Sequence, residues 1–175
     1  MVNAGGSEVI SAGGLTSGLT INSGGMAFIA SAGTVQGGRL VSGATMVVNP
    51  YGTVTGGLTM SGAHVYLAAG ARIAADQTLA MEGVGNRLEI GGRMSIGATI
   101  SAFSVGDLIR LRDTGFLLLG MTTYSQRDGY GILGIKAHPF EFTPSQTLRV
   151  AGYHTSSNFD YTSDGNGGTL LTYRL

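Results

Sequence analysis

Ser42-Gly43-Ala44-Thr45-Met46-Val47-Val48-Asn49-Pro50-Tyr51-Gly52-Thr53-Val54-Thr55-Gly56-Gly57-Leu58-Thr59-Met60 is the stretch that decides the fold. It opens on a short β-forming run, Met46-Val47-Val48, which Asn49-Pro50 and Gly52 end as a turn. A second run, Thr53-Val54-Thr55, leads into Gly56-Gly57 and a third short stretch. Stepping outward by 19 positions recovers the same plan in residues 4–22, 23–41 and 61–79. Glycine recurs at Gly5, Gly24, Gly43 and Gly62, and a second column runs Gly14, Gly33, Gly52 and then Ala71. An aliphatic column runs Ile10, Ile29, Val48, Leu67. Turn residues and β-formers that keep step at a fixed period mean stacked coils, each too small to cover its own apolar face. The rows therefore predict an all-β chain, a parallel β-solenoid of about five short coils closed by a C-terminal β cap. Residues 1–100 make the repeats and residues 101–175 the capping region.

Alternation assigns the faces. The Ile10, Ile29, Val48, Leu67 column points inward, with Glu8, Ala27, Met46 and Val65 two positions earlier on the same side. Glu8 is the misfit, in a first row with one open side. On the second strand Val35, Val54 and Ile73 point inward, with Thr16 in the first row. The residues between the inward ones, Val9, Phe28, Val47 and Tyr66, form an outward column, read as a stripe for self-association or for a surface partner. The same column also reads as ordinary packing on a pleated sheet.

The period weakens after Leu79. Residues 88–96 read as a fifth coil displaced by insertions around Glu82 to Asn86. Beyond Ser101 the character changes, and aromatic residues concentrate there. Residues 107–112, 130–136 and 147–150 read as strands. Phe159-Asp160-Tyr161-Thr162 and Thr169-Leu170-Leu171-Thr172-Tyr173 flank Ser163-Asp164-Gly165-Asn166-Gly167-Gly168 as a hairpin.

Composition sets bounds. The chain has 175 residues, 43% of them hydrophobic, so it can bury a core despite 31 glycines. Charged residues make up 11% and balance to zero. Between Met1 and Gly70 only Glu8 and Arg39 carry formal charge, so the array offers no basic field for nucleic acid or anionic lipid. A neutral array also lacks the repulsion that keeps molecules apart. The absence of cysteine excludes disulfides and thiolate metal sites. No apolar run is long enough for a membrane helix, and the first residues do not read as a signal peptide. The first row has no evident cap, so its strand edges invite end-to-end pairing.

The rows that carry Ser-Gly-Gly or Ser-Gly-Ala, an apolar strand, a glycine turn and a Thr-Val or Leu-Thr strand resemble the strand-loop-strand repeats of bacterial autotransporter passengers, the AIDA-type adhesins. Thr20-Ile21-Asn22-Ser23-Gly24-Gly25 is the nearest match, and the resemblance covers roughly residues 2–100. It implies an extracellular or bacterial cell-surface β-solenoid that promotes adhesion and autoaggregation, with self-association or a host-surface ligand as partner. It further implies O-glycosylation, with Ser23, Ser42 and Ser61 at the matching positions and a glycosyltransferase as a transient partner. The chain departs from the family in lacking the C-terminal export barrel.

Chemistry-bearing motifs are sparse, and no catalytic, cofactor or metal residue is assigned. His64, His138 and His154 are far apart, without the spacing of a zinc site. Glu82, Glu89, Asp107 and Asp113 read as a solvated face unless the fold gathers them. The Asp164-Gly165-Asn166-Gly167-Gly168 segment occurs once and reads as a turn rather than a calcium loop. The leading expectation is a non-catalytic adhesive or scaffold module. An alternative is a carbohydrate-binding module that stacks sugars on Tyr124, Tyr130, Tyr153, Phe159 and Tyr161, with His154 beside them. A second alternative is a solenoid polysaccharide-degrading enzyme, which the short rows and scarce carboxylates disfavour.

Overall fold

The structure is a computed structural model that describes residues 1–92, 96–115, 122–136, 144 and 146–175. His138 and residues 93–95 of the expected fifth coil lie outside the described residues. Each row contributes one strand to each of two sheets. The first sheet takes β1 (Ser7–Ile10), β3 (Met26–Ile29), β5 (Thr45–Val48), β7 (His64–Leu67), β10 (Arg87–Ile90) and β12 (Leu108–Leu111), all parallel and in that order. The second takes β2 (Leu15–Ile21), β4 (Thr34–Leu40), β6 (Thr53–Ser61), β9 (Thr78–Glu82), β11 (Thr99–Ser101) and β15 (Gln146–Ala151), also parallel. The short β8 (Arg72–Ile73) pairs with β6. This is a β-solenoid of about five turns, as the row pattern requires.

Register makes the interior ladder. Ile10, Ile29, Val48, Leu67, Ile90 and Leu111 are successive partners down the first sheet. All six are buried. Beside them run Glu8, Ala27, Met46, Val65, Leu88 and Ile109. From the second sheet Val35, Val54, Ile73, Leu40, Met60 and Met81 face them and are buried too. Complete burial of one such side chain contributes roughly 1.5–3 kcal/mol, so a ladder this long is the main source of stability.

The two glycine columns serve different needs. Gly5, Gly24, Gly43 and Gly62 all have left-handed backbone, as at Gly24 with φ +73°. Each amide donates to the carbonyl of the next, from Gly5 to Gly24, Gly24 to Gly43 and Gly43 to Gly62. The turns thus stack as continuously as the strands. The second column needs room instead. A Cβ at Gly33 would stand 2.7 Å from the Ile10 carbonyl oxygen. The left-handed residue of that turn is the one before, at Gly13, Ala32, Tyr51 and Gly70.

The third stretch of each row is not a separate strand. β2, β4 and β6 pass through Gly18, Gly37 and Gly56-Gly57, bend there, and stay in the second sheet. A register shift follows Gln36, where β6 carries the extra glycine. The last coils are longer than the first. Leu67 pairs with Ile90, 23 positions on, and Ile90 with Leu111, 21 positions on. Asn86, buried in that insertion, donates its side-chain amide to Asp107 Oδ1 and the Glu82 carbonyl. Asp107 Oδ2 accepts from Ser104.

The parallel stack runs past residue 100, because β12 joins β10 and β15 joins β11 in parallel. The cap begins where direction reverses. β17 (Thr169–Tyr173) and β16 (Phe159–Ser163) extend the first sheet antiparallel. β14 (Tyr130–Ile135) and β13 (Thr122–Gln126) extend the second. Phe103, Phe159, Tyr173, Tyr124 and His154 pack as rings between these hairpins, with centroids 5.5–6.5 Å apart. At the other end Glu8 and Thr16 turn inward and hydrogen-bond at 2.8 Å. Val2 bridges to Ile21 and covers part of the β2 edge.

Candidate functional site

The outer face of the first sheet carries the side chains that the fold does not consume. Its central column reads Val9, Phe28, Val47, Tyr66, Glu89, Arg110 along six consecutive parallel strands. Its upper four members are apolar or aromatic, so the expected stripe exists as a register-aligned row. Val9 is 63% exposed, whereas Phe28, Val47 and Tyr66 are half-buried by their neighbours. Met26 in the adjoining column and Leu15 on the first coil are also exposed.

Below the stripe the column turns charged. Glu89 is buried, only 6% exposed, among three arginines and His64. Arg87 Nε lies 2.8 Å from Oε1 and His64 Nε2 3.0 Å from the same oxygen. The His64 approach lacks the alignment of a hydrogen bond, so that buried nitrogen is left without one. Arg110 Nη1 is 3.6 Å and Arg112 Nε 4.0 Å from Oε2. Arg110 is committed elsewhere, because Nε and Nη2 both donate to Asp164 Oδ2, at 2.8 and 2.7 Å. Arg112 instead lies over the Tyr66 ring, 5.1 Å from its centroid. The Tyr66 hydroxyl leans over Gly91, where any Cβ would crowd it.

These contacts shift His64 and Asp164 in the same direction. Burial lowers the His64 pKa, and Arg87 adds to that effect against the attraction of Glu89. Backbone amides of Asn166 and Gly168, then Arg110, hold Asp164 below the usual carboxylate range. Asp164 Oδ1 accepts both amides, so the Gly165–Gly168 loop is a turn organised by its own aspartate.

The four acids singled out in the sequence do not gather. Glu89 sits in the arginine ring, Asp107 in the Asn86 network, Asp113 accepts from the Gly92 amide, and Glu82 is exposed. Among the described residues no group of three His, Asp or Glu side chains is placed to hold a metal ion.

The serine column is real. Ser23 and Ser42 are exposed and Ser61 half-exposed at the glycine turns. Ser23 Oγ lies beside Gly43 and Ser42 Oγ beside Gly62.

The aromatic set divides. Phe159 is buried, and Tyr124 and Tyr161 pack against the core, with burial pushing the Tyr161 hydroxyl to about 12. Tyr130 stacks on Arg149 at 4.3 Å. Tyr153 is 75% exposed, and its hydroxyl donates to Asp128. His154 spans the Tyr173 hydroxyl and the Ala151 carbonyl. No single platform forms from the five aromatic residues, since Phe159 offers no face to solvent.

The ring around Glu89 escaped sequence reading. Its signal was the substitution of Glu89 and Arg110 into the Val9–Tyr66 column. The change of spacing after Leu67 hid that alignment. No protein-family model, curated protein or solved structure matches this chain. No helix among the described residues is long and apolar enough to cross a membrane, which leaves strand-built membrane barrels unaddressed.

Proposed function

We propose that the chain is a non-catalytic adhesive scaffold of the bacterial cell surface or its surroundings, and that it self-associates through the outer face of its first sheet. The supporting observation is the register-aligned row of Val9, Phe28, Val47 and Tyr66 on a parallel sheet. Parallel stacking places these residues about 4.8 Å apart, so the row is continuous rather than a scatter of single apolar residues. Zero net charge removes the long-range repulsion between two copies. A second copy is the occupant that fits, because an elongated apolar row is complementary to itself under two-fold symmetry. The autotransporter-passenger resemblance of the rows supports a surface location, and the exposed Ser23 and Ser42 suit glycosyl transfer in that setting.

Tyr66 is clasped by Arg112 and belongs partly to the charged ring, so Val9 and Phe28 are the better probes. Replacing both by serine leaves the inward ladder intact. Sedimentation of the variant should show at least a fivefold loss of association with an unchanged melting profile. Equal association of wild type and variant would sink this reading.

A further inference from the structure

We propose that Arg112 and Arg87 form a binding site for an oxyanion borne on a partner, a sulfate or carboxylate of an acidic polysaccharide. Three guanidinium groups converge on Glu89, which is more positive charge than one carboxylate requires. Asp164 accounts for Arg110 and no other member of the ring. Asp113, the acid next to Arg112 in the chain, is turned to the Gly92 amide. Glu89 balances one of the two that remain, Arg87 at 2.8 Å, so Arg112 is left in surplus; both side chains are 44% exposed.

In both of them Nε is the nitrogen nearest Glu89. Arg87 meets Glu89 as an ion pair at 2.8 Å. Arg112 stands beyond hydrogen-bond distance from Glu89 and rests on the Tyr66 face. A guanidinium with unspent coplanar donors matches the two oxygens of a carboxylate or sulfate. Stacking on Tyr66 holds the Arg112 fork in place, which lowers the entropy lost on binding. Glu89 anchors the pair from beneath, where burial keeps water from competing for it. His64 adds a further positive charge to the rim when protonated.

A polymeric source is favoured over a free ion by the position of the site. Among the described residues it lies on the outer face of the first sheet, with both arginine side chains 44% exposed, so a single small ion would gain little. A chain carrying many anions regains the loss by repeated rebinding.

The full chain is titrated with dextran sulfate, polygalacturonate, neutral dextran and sodium sulfate at low ionic strength. Dextran sulfate and polygalacturonate should bind and neutral dextran should not. Arg112→Gln and Arg87→Gln should each weaken binding at least fivefold, and the double variant should abolish it. Arg112→Lys keeps the charge but loses the planar fork, and should keep an intermediate affinity. Arg39→Gln and Arg72→Gln, which remove equal charge elsewhere, should bind as wild type. Equal losses at Arg39 or Arg72 would overturn the site in favour of diffuse attraction. Binding of sodium sulfate without either polymer would overturn the polysaccharide assignment, and no binding of any anion would overturn the proposal outright. Melting curves for each variant separate a lost site from a lost fold.

Discussion

His64 shows what one side chain contributes at the join between the apolar stripe and the charged ring. Its pKa is lowered from 6.5, chiefly by burial. The unfolded chain therefore takes up the proton more readily than the folded one as pH falls through 6.5. The stability associated with neutral His64 is complete above that pH and is lost below it. Denaturant melts between pH 7.5 and 5.5 should fall more steeply for wild type than for His64→Asn. One proton sets a ceiling of about 1.4 kcal/mol per pH unit on the difference in slope, and half-exposure keeps the effect well under it. Identical slopes would mean that Glu89 compensates the burial in full. The same scale explains what a reading of residues recovers. Inward Ile10, outward Val9 and misfit Glu8 follow from alternation alone. The partners of His64 do not, since Glu89 and Arg87 are brought beside it only by the pairing of β7 with β10.

Turns, more than strands, decide whether a row closes. Gly24 and Gly33 look equivalent in the repeat, yet one is required by backbone geometry and the other by space. Alanine at Gly24 keeps a left-handed backbone at a cost of about 1–2 kcal/mol. Alanine at Gly33 must displace the Ile10 carbonyl and the turn ladder with it. Thermal denaturation should rank Gly33→Ala below Gly24→Ala, and both below wild type. The reverse order would show that the backbone at Gly33 relaxes freely. Strand identity was legible for the 19-residue rows, because apolar alternation and turn glycines agree there. It was also legible for β12, β14, β15 and the β16–β17 hairpin. β11 and β13 were not, because Thr99–Ser101 is too short to alternate and Thr122–Gln126 is polar throughout. The rows alone allow two or three strands each, because glycine marks a bend as readily as an end.

At the scale of the molecule, the two ends differ. The C-terminal end is closed by reversed hairpins over an aromatic cluster. The first coil instead ends its interior with the Glu8–Thr16 pair. An inward carboxylate is a recognised guard against edge pairing, since a second apolar layer laid over it would strand a charge. Edges that invite pairing on strand geometry alone are thereby opposed by their own core. Glu8→Val with Thr16→Val removes the guard, and light scattering over a dilution series should show end-to-end association added to the side-on association of the wild type at equal concentration. A variant that scatters like wild type would show that Val2 over the β2 edge is the stronger barrier. Neither end competes with the sheet face for partners, where side-on assembly uses the apolar rows and anion binding the charged rows.

The constant 19-residue circuit of the early rows makes length a discrete variable. A tandem duplication of one whole row returns the chain to the same point on the perimeter, with every wall matched to the next. The rod would grow by one strand spacing, about 4.8 Å, each time, without new contacts having to be invented. Changes of any other size must be absorbed as an outward loop at a corner, as the longer circuit between Leu67 and Ile90 already does. Length can thus be adjusted by copying, while the closing hairpins and the first coil stay as they are.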